Sequence, residues 1–162
     1  MKAETRSHVD LAFLRTGNLT ETPAGALFLP VDDRGDRFLA GRLGPYPVLV
    51  VLDGNKPFHV SAPEEWSRGA GLIVPKIRFQ ADPSSASECQ GADDASHGSL
   101  VLSDLGSMII AFDHNGKKAV LLSDGDGDTD INGKNSVAFK AWRIVTDEGS
   151  PVVLYESPLG PM

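Results

Sequence analysis

Short apolar runs separated by turn-forming residues recur along the chain, and this pattern limits the folds it can adopt. The clearest run, Val48 to Leu52, is continuously apolar and rich in valine, and it lies between Pro47 and the turn sequence Asp53-Gly54-Asn55. Such a run is typical of a central β-strand covered on both faces. Because no helical periods separate these runs, we predict an all-β fold, an antiparallel β-sandwich or barrel of roughly 9 to 11 short strands.

The remaining strands are predicted from the same signals. Asn115-Gly116, between two apolar runs, is the strongest hairpin signal because both residues tolerate positive φ. A capping-box pattern at Ser61 and Glu64 predicts one short helix from Pro63 to Arg68. Besides the run at Val48, the predicted strands are residues 9–14, 27–31, 37–43, 56–60, 72–80, 99–103, 108–113, 117–122, 137–146 and 151–156.

Two segments of the chain resemble each other. Val48 to Lys56 and Met108 to Lys117 each contain an apolar strand followed by Asp, Asn and Lys. Either a duplicated unit or two hairpins with the same turn chemistry explains this resemblance.

Length and composition indicate one globular domain. A chain of 162 residues should bury roughly two-thirds of its unfolded surface, which is enough for one core. We therefore predict a single β-rich domain over residues 1–162, with a long flexible loop near residues 81–98, where Ala, Ser, Asp and Gly follow no period. The only cysteine, Cys89, excludes an internal disulfide.

Charge and hydropathy limit the partners. A net charge of −7, with the basic residues scattered, argues against a nucleic-acid partner, which needs clustered positive charge. The longest apolar run is far shorter than the ~20 residues of a membrane span. Because no apolar run typical of an export signal follows the first ten residues, we expect a cytoplasmic protein that does not enter the membrane.

An acidic segment, Asp124 to Asn132, carries the strongest chemical signal. Its alternating aspartates repel one another unless the segment extends into solvent or a cation lies among them. Side-chain oxygens two residues apart in a curling loop can converge on Ca²⁺, which binds six to eight oxygens. The candidate metal ligands are Asp124, Asp126, Asp128, Asp130 and Asn132.

This segment does not match an EF-hand. In one register Thr129 occupies the glycine position and Asn135 the position of the bidentate glutamate; in the other, Phe139 occupies the glutamate position. The flanking segments also predict strands, whereas an EF-hand needs helices. Two interpretations stay open: a weak Ca²⁺ site in a β-hairpin loop, and a solvated turn without a metal.

A second candidate site comes from the strand predicted over residues 137–146. Alternation places Arg143 on one side and Lys140 and Trp142 on the other, so either side that faces the core would carry a cation. A cation at the mouth of a barrel can bind an anionic ligand. We therefore predict a ligand pocket formed by Arg78, Trp142 and Arg143.

The sequence carries no nucleophile-elbow, phosphate-loop or dinucleotide motif. Cys89 and His97 could form a nucleophile and base, but no orienting carboxylate can be assigned to them. The main hypothesis is a non-catalytic β-sandwich that binds a protein or a saccharide, with Ca²⁺ as a possible cofactor. The alternative is a small β-barrel enzyme or ligand carrier that uses the pocket at Arg78, Trp142 and Arg143.

Overall fold

The computed structural model describes residues 8–31, 36–54, 56–61, 71–89, 94–103, 106–122, 136–147 and 150–157. In these residues the regular structure is β-strand apart from three-residue 3-10 turns at Leu11–Phe13, Leu19–Glu21 and Pro83–Ser85. The prediction of an all-β fold is therefore confirmed. The helix predicted at Pro63 to Arg68 lies outside the described residues.

Fourteen strands occur in the described part of the chain. They are β1 (Arg15–Gly17), β2 (Leu27–Pro30), β3 (Phe38–Leu43), β4 (Tyr46–Val51), β5 (His59–Ser61), β6 (Gly71–Val74), β7 (Ile77–Ala81), β8 (Ala86–Glu88), β9 (Leu100–Ser103), β10 (Gly106–Asp113), β11 (Gly116–Leu121), β12 (Val137–Phe139), β13 (Trp142–Thr146) and β14 (Val153–Glu156).

The strands form one large sheet and one small sheet. The large sheet has the order β1-β6-β2-β3-β4-β5-β10-β9-β12-β8, and β11 pairs with both β10 and β3. Strands β3, β4, β5, β10 and β11 therefore form a closed circuit of pairings. The circuit is completed by the single residue pairs His59–Phe112 and Arg42–Leu121. The second sheet has the order β14-β13-β7.

Two segments predicted as single strands are each divided between the sheets. The predicted strand 72–80 is interrupted at Pro75, so β6 belongs to the large sheet and β7 to the second sheet. The predicted strand 137–146 is interrupted at Lys140 and Ala141, which separate β12 from β13 in the same way. Pro75 has no N–H for the ladder, which accounts for the first interruption.

Two further predictions differ from the structure. Residues 11–13 form a 3-10 turn capped by the Asp10 side chain, and the first strand begins later, at Arg15. The range predicted as a long loop, 81–98, contains the 3-10 turn at Pro83–Ser85 and strand β8. Asp82 accepts the Ser84 N–H at 2.9 Å and so caps that turn.

The same pairing arrangement occurs twice. The run β1-β6-β2-β3-β4 corresponds to β8-β12-β9-β10-β11. Leu39 lies opposite Leu27 and Val50 in the first repeat. In the second repeat Ile109 lies opposite Leu100 and Val120.

Backbone hydrogen bonds outside the strands repeat as well. Gly25 N–H donates to the Ala40 carbonyl at 2.8 Å, and Gly98 N–H donates to the Ile110 carbonyl at 2.6 Å. Both glycines have positive φ, +85° and +92°, a conformation that favours glycine. The two repeats therefore share backbone geometry, with glycine at the same position of each.

The second sheet joins the repeats symmetrically. β7 follows β6, β13 follows β12, and the two pair antiparallel with Phe79 opposite Ile144. Asp82 N–H donates to the Ala141 carbonyl at 2.9 Å, and at the other end Asp147 N–H donates to the Lys76 carbonyl at 3.2 Å. Each half of this pairing is thus the image of the other about an approximate two-fold axis.

The structure therefore favours a duplicated unit, but in a different register from the sequence resemblance. That resemblance aligned the strand at Val48 with the strand at Met108, that is, β4 with β10. The pairings instead match β3 with β10 and β4 with β11.

The apolar residues form three clusters. The largest joins the strand circuit to the second sheet, and two smaller ones cover the outer faces of the first and second repeats. The largest includes Leu39, Val50, Val60, Ile109, Val120, Trp142, Ile144 and Tyr155. Cys89 is buried in the outer cluster of the second repeat, whereas His97 is exposed and its ring packs against Phe112.

Candidate ligand site at the end of the second sheet

A depression lies where the three strands of the second sheet end together. It has a volume of about 550 Å³, within the roughly 300–1,000 Å³ of small-molecule sites. We call it the second-sheet depression. Its lining residues are Gln80, Ala81, Asp82, Ala141, Trp142, Arg143, Glu156 and Ser157.

Strand register places the charged groups of the depression together. Arg143 lies opposite Gln80 on β7 and opposite Glu156 on β14. Directly opposed residues on one face of an antiparallel sheet are neighbours. Arg143 Nε donates to Gln80 Oε1 at 2.8 Å, and the side chains of Arg143 and Glu156 are exposed. The site therefore presents a cation, an amide and a carboxylate side by side.

The expected burial of a cation does not occur. In β13 Trp142 and Ile144 are buried, in phase with Ala138 of β12, and Arg143 is exposed. Lys140 lies in the interruption and is exposed. The prediction that one of these two cations faces the core was wrong, since it assumed one continuous strand.

Trp142 lines the depression and belongs to the largest core cluster. It is 4% exposed, and its Nε1–H donates to the Gly98 carbonyl at 2.7 Å. Its ring lies 6.2 Å from that of Phe79 and 5.5 Å from that of Tyr155, between centroids. The indole is thus fixed in the core.

Asp82 supplies a second carboxylate. Its Oδ1 accepts the N–H of Ser84 at 2.9 Å and the hydroxyl of Ser84 at 2.8 Å. These bonds hold the pKa of Asp82 below its usual value because they stabilise the charged form. Asp82 is therefore ionised at neutral pH.

The third predicted ligand residue, Arg78, does not line the depression. It lies opposite Val145, and its Nε is 3.2 Å from Asp147 Oδ1, near the other end of β7. Of the predicted ligand residues, the structure therefore brings Trp142 and Arg143 together at the depression and leaves Arg78 apart.

A polar cluster missed by the sequence reasoning supports the site from below. Arg37 donates to both carboxylate oxygens of Asp53, at 2.7 Å from NH2 and 2.9 Å from Nε, and its NH1 donates to the Leu154 carbonyl at 2.7 Å. The guanidinium carbon lies 4.9 Å from the centre of the Tyr155 ring. Asp53 also raises the pKa of Arg37 by hydrogen bonding. These contacts hold β14, and with it Glu156, against the large sheet.

The sequence offered little sign of this cluster. Asp53 follows an apolar strand and precedes Gly54, a context that predicts only a turn. Asp53 binds Arg37, which is 16 residues away, and Arg37 in turn binds the Leu154 carbonyl, which is 117 residues from it, so only the fold brings the three together.

A family model described as "Uncharacterised protein y4lG" matches residues 16–157, from inside β1 to the end of β14. The chain belongs to the Y4lG family. The match includes both repeats and every lining residue of the second-sheet depression. Searches of curated proteins and of solved structures gave no significant match.

The predicted metal ligands of this Y4lG-family chain lie outside the described residues. They are Asp124, Asp126, Asp128, Asp130 and Asn132. Among the residues that are described, no three His, Cys, Asp or Glu side chains are grouped so that they could hold a metal ion. No helix within the same residues is long and apolar enough to cross a membrane.

Proposed function

We propose that this protein is a non-catalytic binding module whose small polar ligand occupies the second-sheet depression. The observation that supports this most directly is the combination of volume and lining. Arg143, Asp82 and Glu156 line it together with Ala81, Ala141 and Trp142. A concave site with a few convergent polar groups over apolar walls is typical of ligand binding.

Hydrogen bonds within the protein hold the polar groups of the depression in place. Ser84 fixes Asp82 Oδ1, Gln80 holds Arg143 Nε, and Ser157 donates its hydroxyl to the Lys140 carbonyl at 2.8 Å. Groups held in this way are preorganised, which lowers the entropic cost of binding. This arrangement supports recognition of a ligand by hydrogen bonds and ion pairs.

The proposal can be tested by thermal unfolding in the presence of two panels, neutral monosaccharides and free α-amino acids. A ligand at one hundred times its Kd stabilises the folded state by about 2.7 kcal/mol, which is several degrees in Tm for a domain of this size. We expect a member of one panel to raise Tm, and Arg143→Ala to remove most of that rise.

Arg78→Ala is the matched control. Arg78 is an exposed arginine of the same sheet that does not line the depression. We expect this variant to respond to the ligand as the unchanged protein does. If neither panel changes Tm, or if Arg78→Ala and Arg143→Ala lose the response equally, the proposal is wrong.

A further inference from the structure

The two repeats allow the depression to be compared with its own image in the same molecule. The approximate two-fold axis at Phe79 and Ile144 relates Arg143 to Arg78 and Asp82 to Asp147. At the image position Arg78 Nε lies 3.2 Å from Asp147 Oδ1, so the arginine and the aspartate form a cross-strand ion pair.

At the depression the equivalent arginine and aspartate bind other groups instead. Arg143 donates from Nε to Gln80 Oε1, and Asp82 Oδ1 accepts two hydrogen bonds from Ser84. The image position of Gln80 is Val145, which has no amide to attract an arginine. The chain thus carries specific residues, Gln80 and Ser84, that draw Arg143 and Asp82 away from each other.

The residue two positions after the aspartate also differs between the depression and its image. Ser84 stands two residues after Asp82, whereas Gly149 stands two residues after Asp147. Glycine has no hydroxyl to compete for the carboxylate. In sequence, Gln80 and Ser84 at the depression are thus replaced by Val145 and Gly149 at the image position.

The third strand adds another charge at this end. Glu156 of β14 lies opposite Arg143, and within the described residues β7 pairs only with β13. Among the described residues, the depression therefore contains one guanidinium, Arg143, and two carboxylates, Asp82 and Glu156. The net charge of these three groups is −1, and it comes from both signs, held beside one another.

We propose that the ligand of the second-sheet depression is a small zwitterion of the α-amino-acid type, whose carboxylate binds Arg143 and whose ammonium binds Asp82 and Glu156. This inference rests on the proposed function. The ligand replaces the ion pair that the image position makes internally, and it supplies both complementary charges at once.

Other ligand classes complement the site less well. An anion faces two carboxylates, and a cation faces Arg143, so each meets repulsion. A neutral saccharide makes hydrogen bonds, but it brings no opposite charge to the three charged groups. It also excludes water from them, and removing water from unpaired charges is costly. Among these classes, the zwitterion alone satisfies all three charged groups.

The test is isothermal titration of the full-length protein with each of the common free α-amino acids. Every binder is compared with its N-acetyl derivative, which lacks the ammonium, and with its carboxamide, which lacks the carboxylate. We expect each derivative to bind at least about tenfold more weakly, since each loses a charge-assisted hydrogen bond.

Variants test the residues individually. We expect Asp82→Asn, Glu156→Gln and Arg143→Gln each to weaken binding about tenfold. Arg78→Gln, the image-site control, should bind as the unchanged protein does. All are surface substitutions, and unchanged far-ultraviolet circular dichroism shows that each variant is folded.

The outcomes separate this inference from the proposed function. Binding of a neutral monosaccharide that depends on Arg143, without binding of any amino acid, overturns the zwitterion and leaves the binding module intact. Equal affinity for an amino acid and its N-acetyl derivative also overturns it. If no member of either panel binds, both proposals fail.

Discussion

Arg37 connects parts of the molecule that no local signal relates. Its guanidinium holds Asp53 by two hydrogen bonds, binds the Leu154 carbonyl and stacks on Tyr155. We predict that Arg37→Ala lowers the free energy of unfolding by about 1–3 kcal/mol, because Asp53 and the Leu154 carbonyl lose a charged donor. Urea unfolding measures this change.

The control for Arg37→Ala is another arginine of the same segment. Arg42 lies on β3, and within the described part of the chain its side chain bonds to the carbonyls of the adjacent turn, Gly44 at 3.4 Å and Pro45 at 3.0 Å. Arg42→Ala should change the free energy of unfolding by no more than about 0.5 kcal/mol. Equal losses in the two variants would show that the contacts of Arg37 add nothing to stability.

Removing the hydroxyl of Tyr155 should stabilise the folded protein. This hydroxyl is buried and has no hydrogen-bond partner among the residues that the structure describes, and a buried unsatisfied polar group costs about 1–3 kcal/mol. We therefore expect Tyr155→Phe to raise the free energy of unfolding at pH 7 by up to that amount. A loss of stability, measured by urea unfolding, would mean that the hydroxyl has a favourable partner after all.

The same residue predicts a pH dependence. Burial raises the pKa of Tyr155 above its usual value because the phenolate loses hydration. The folded state then holds this proton more tightly than the unfolded state, so its contribution is complete below about pH 10, the unfolded pKa. Stability should fall as pH rises above that value, and less so in Tyr155→Phe. Parallel slopes of unfolding free energy against pH in both proteins would contradict the assignment.

At the scale of elements, alternation identified the strands but not the points where the chain changes sheet. Across Pro75, and again across Lys140 and Ala141, the apolar pattern continues without a visible phase change. The period of the side chains shows which face of a strand is apolar. This period does not change where the chain bends from one sheet into the other, so the bend leaves no mark in the pattern. This is why the pattern did not reveal that Lys140 lies in the bend between the sheets, where it is exposed.

The turn before β9 is an element whose glycine should be irreplaceable. Gly98 has φ +92°, and a Cβ there would lie 2.5 to 3.0 Å from ring atoms of Phe58, which itself has φ +69°. The Gly98 carbonyl also holds Trp142. We predict that Gly98→Ala costs about 1–3 kcal/mol more than a positive-φ glycine substitution without a clash, and that it changes tryptophan fluorescence.

Gly116 provides that comparison. It has φ +114°, and nothing lies within 4 Å of the Cβ position. Gly116→Ala therefore carries the backbone cost alone, about 1 kcal/mol or more. Equal losses in the two alanine variants would show that the contact with Phe58 is relieved at no cost.

The acidic segment Asp124 to Asn132 lies outside the described residues, so its Ca²⁺ site stays a prediction. A site without the bidentate glutamate should have a Kd near 0.1–1 mM, so ten millimolar Ca²⁺ should stabilise the protein by roughly 1.5–3 kcal/mol. Asp126→Ala should abolish the rise in Tm, and Mg²⁺ at the same concentration serves as the ionic-strength control. A Tm that does not respond to Ca²⁺ would leave the solvated-turn interpretation.

At the scale of the whole molecule, the fold class was predictable and the duplication was not. Equivalent positions such as Leu39 and Ile109 share only apolar character, and Arg37 corresponds to Ser107. A strand position in a sheet constrains size and hydrophobicity rather than identity, so duplicated units diverge while their pairings persist. The resemblance visible in sequence came from turn residues, which recur for local reasons.

The residues of the candidate site were also only partly predictable from the sequence. Two of the residues predicted to bind the ligand, Trp142 and Arg143, line the depression, and they are neighbours in one strand. Gln80, Asp82 and Glu156 were missed, because they join the site only through the register of β7, β13 and β14. A site built across strands becomes visible when the pairing is known.

Interleaving of the repeats predicts that they unfold as one unit. β5 of the first repeat pairs with β10 of the second, and β11 pairs with β3, so neither repeat completes the strand circuit alone. Leu39 and Ile109 occupy equivalent, fully buried positions of the shared core. We expect Leu39→Ala and Ile109→Ala each to cost about 2–5 kcal/mol and to shift a single unfolding transition as a whole.

Urea unfolding followed by tryptophan fluorescence and by far-ultraviolet circular dichroism should give coincident curves in both variants. If the repeats were independent, each substitution would displace only part of the circular dichroism change and leave the remainder at its original midpoint.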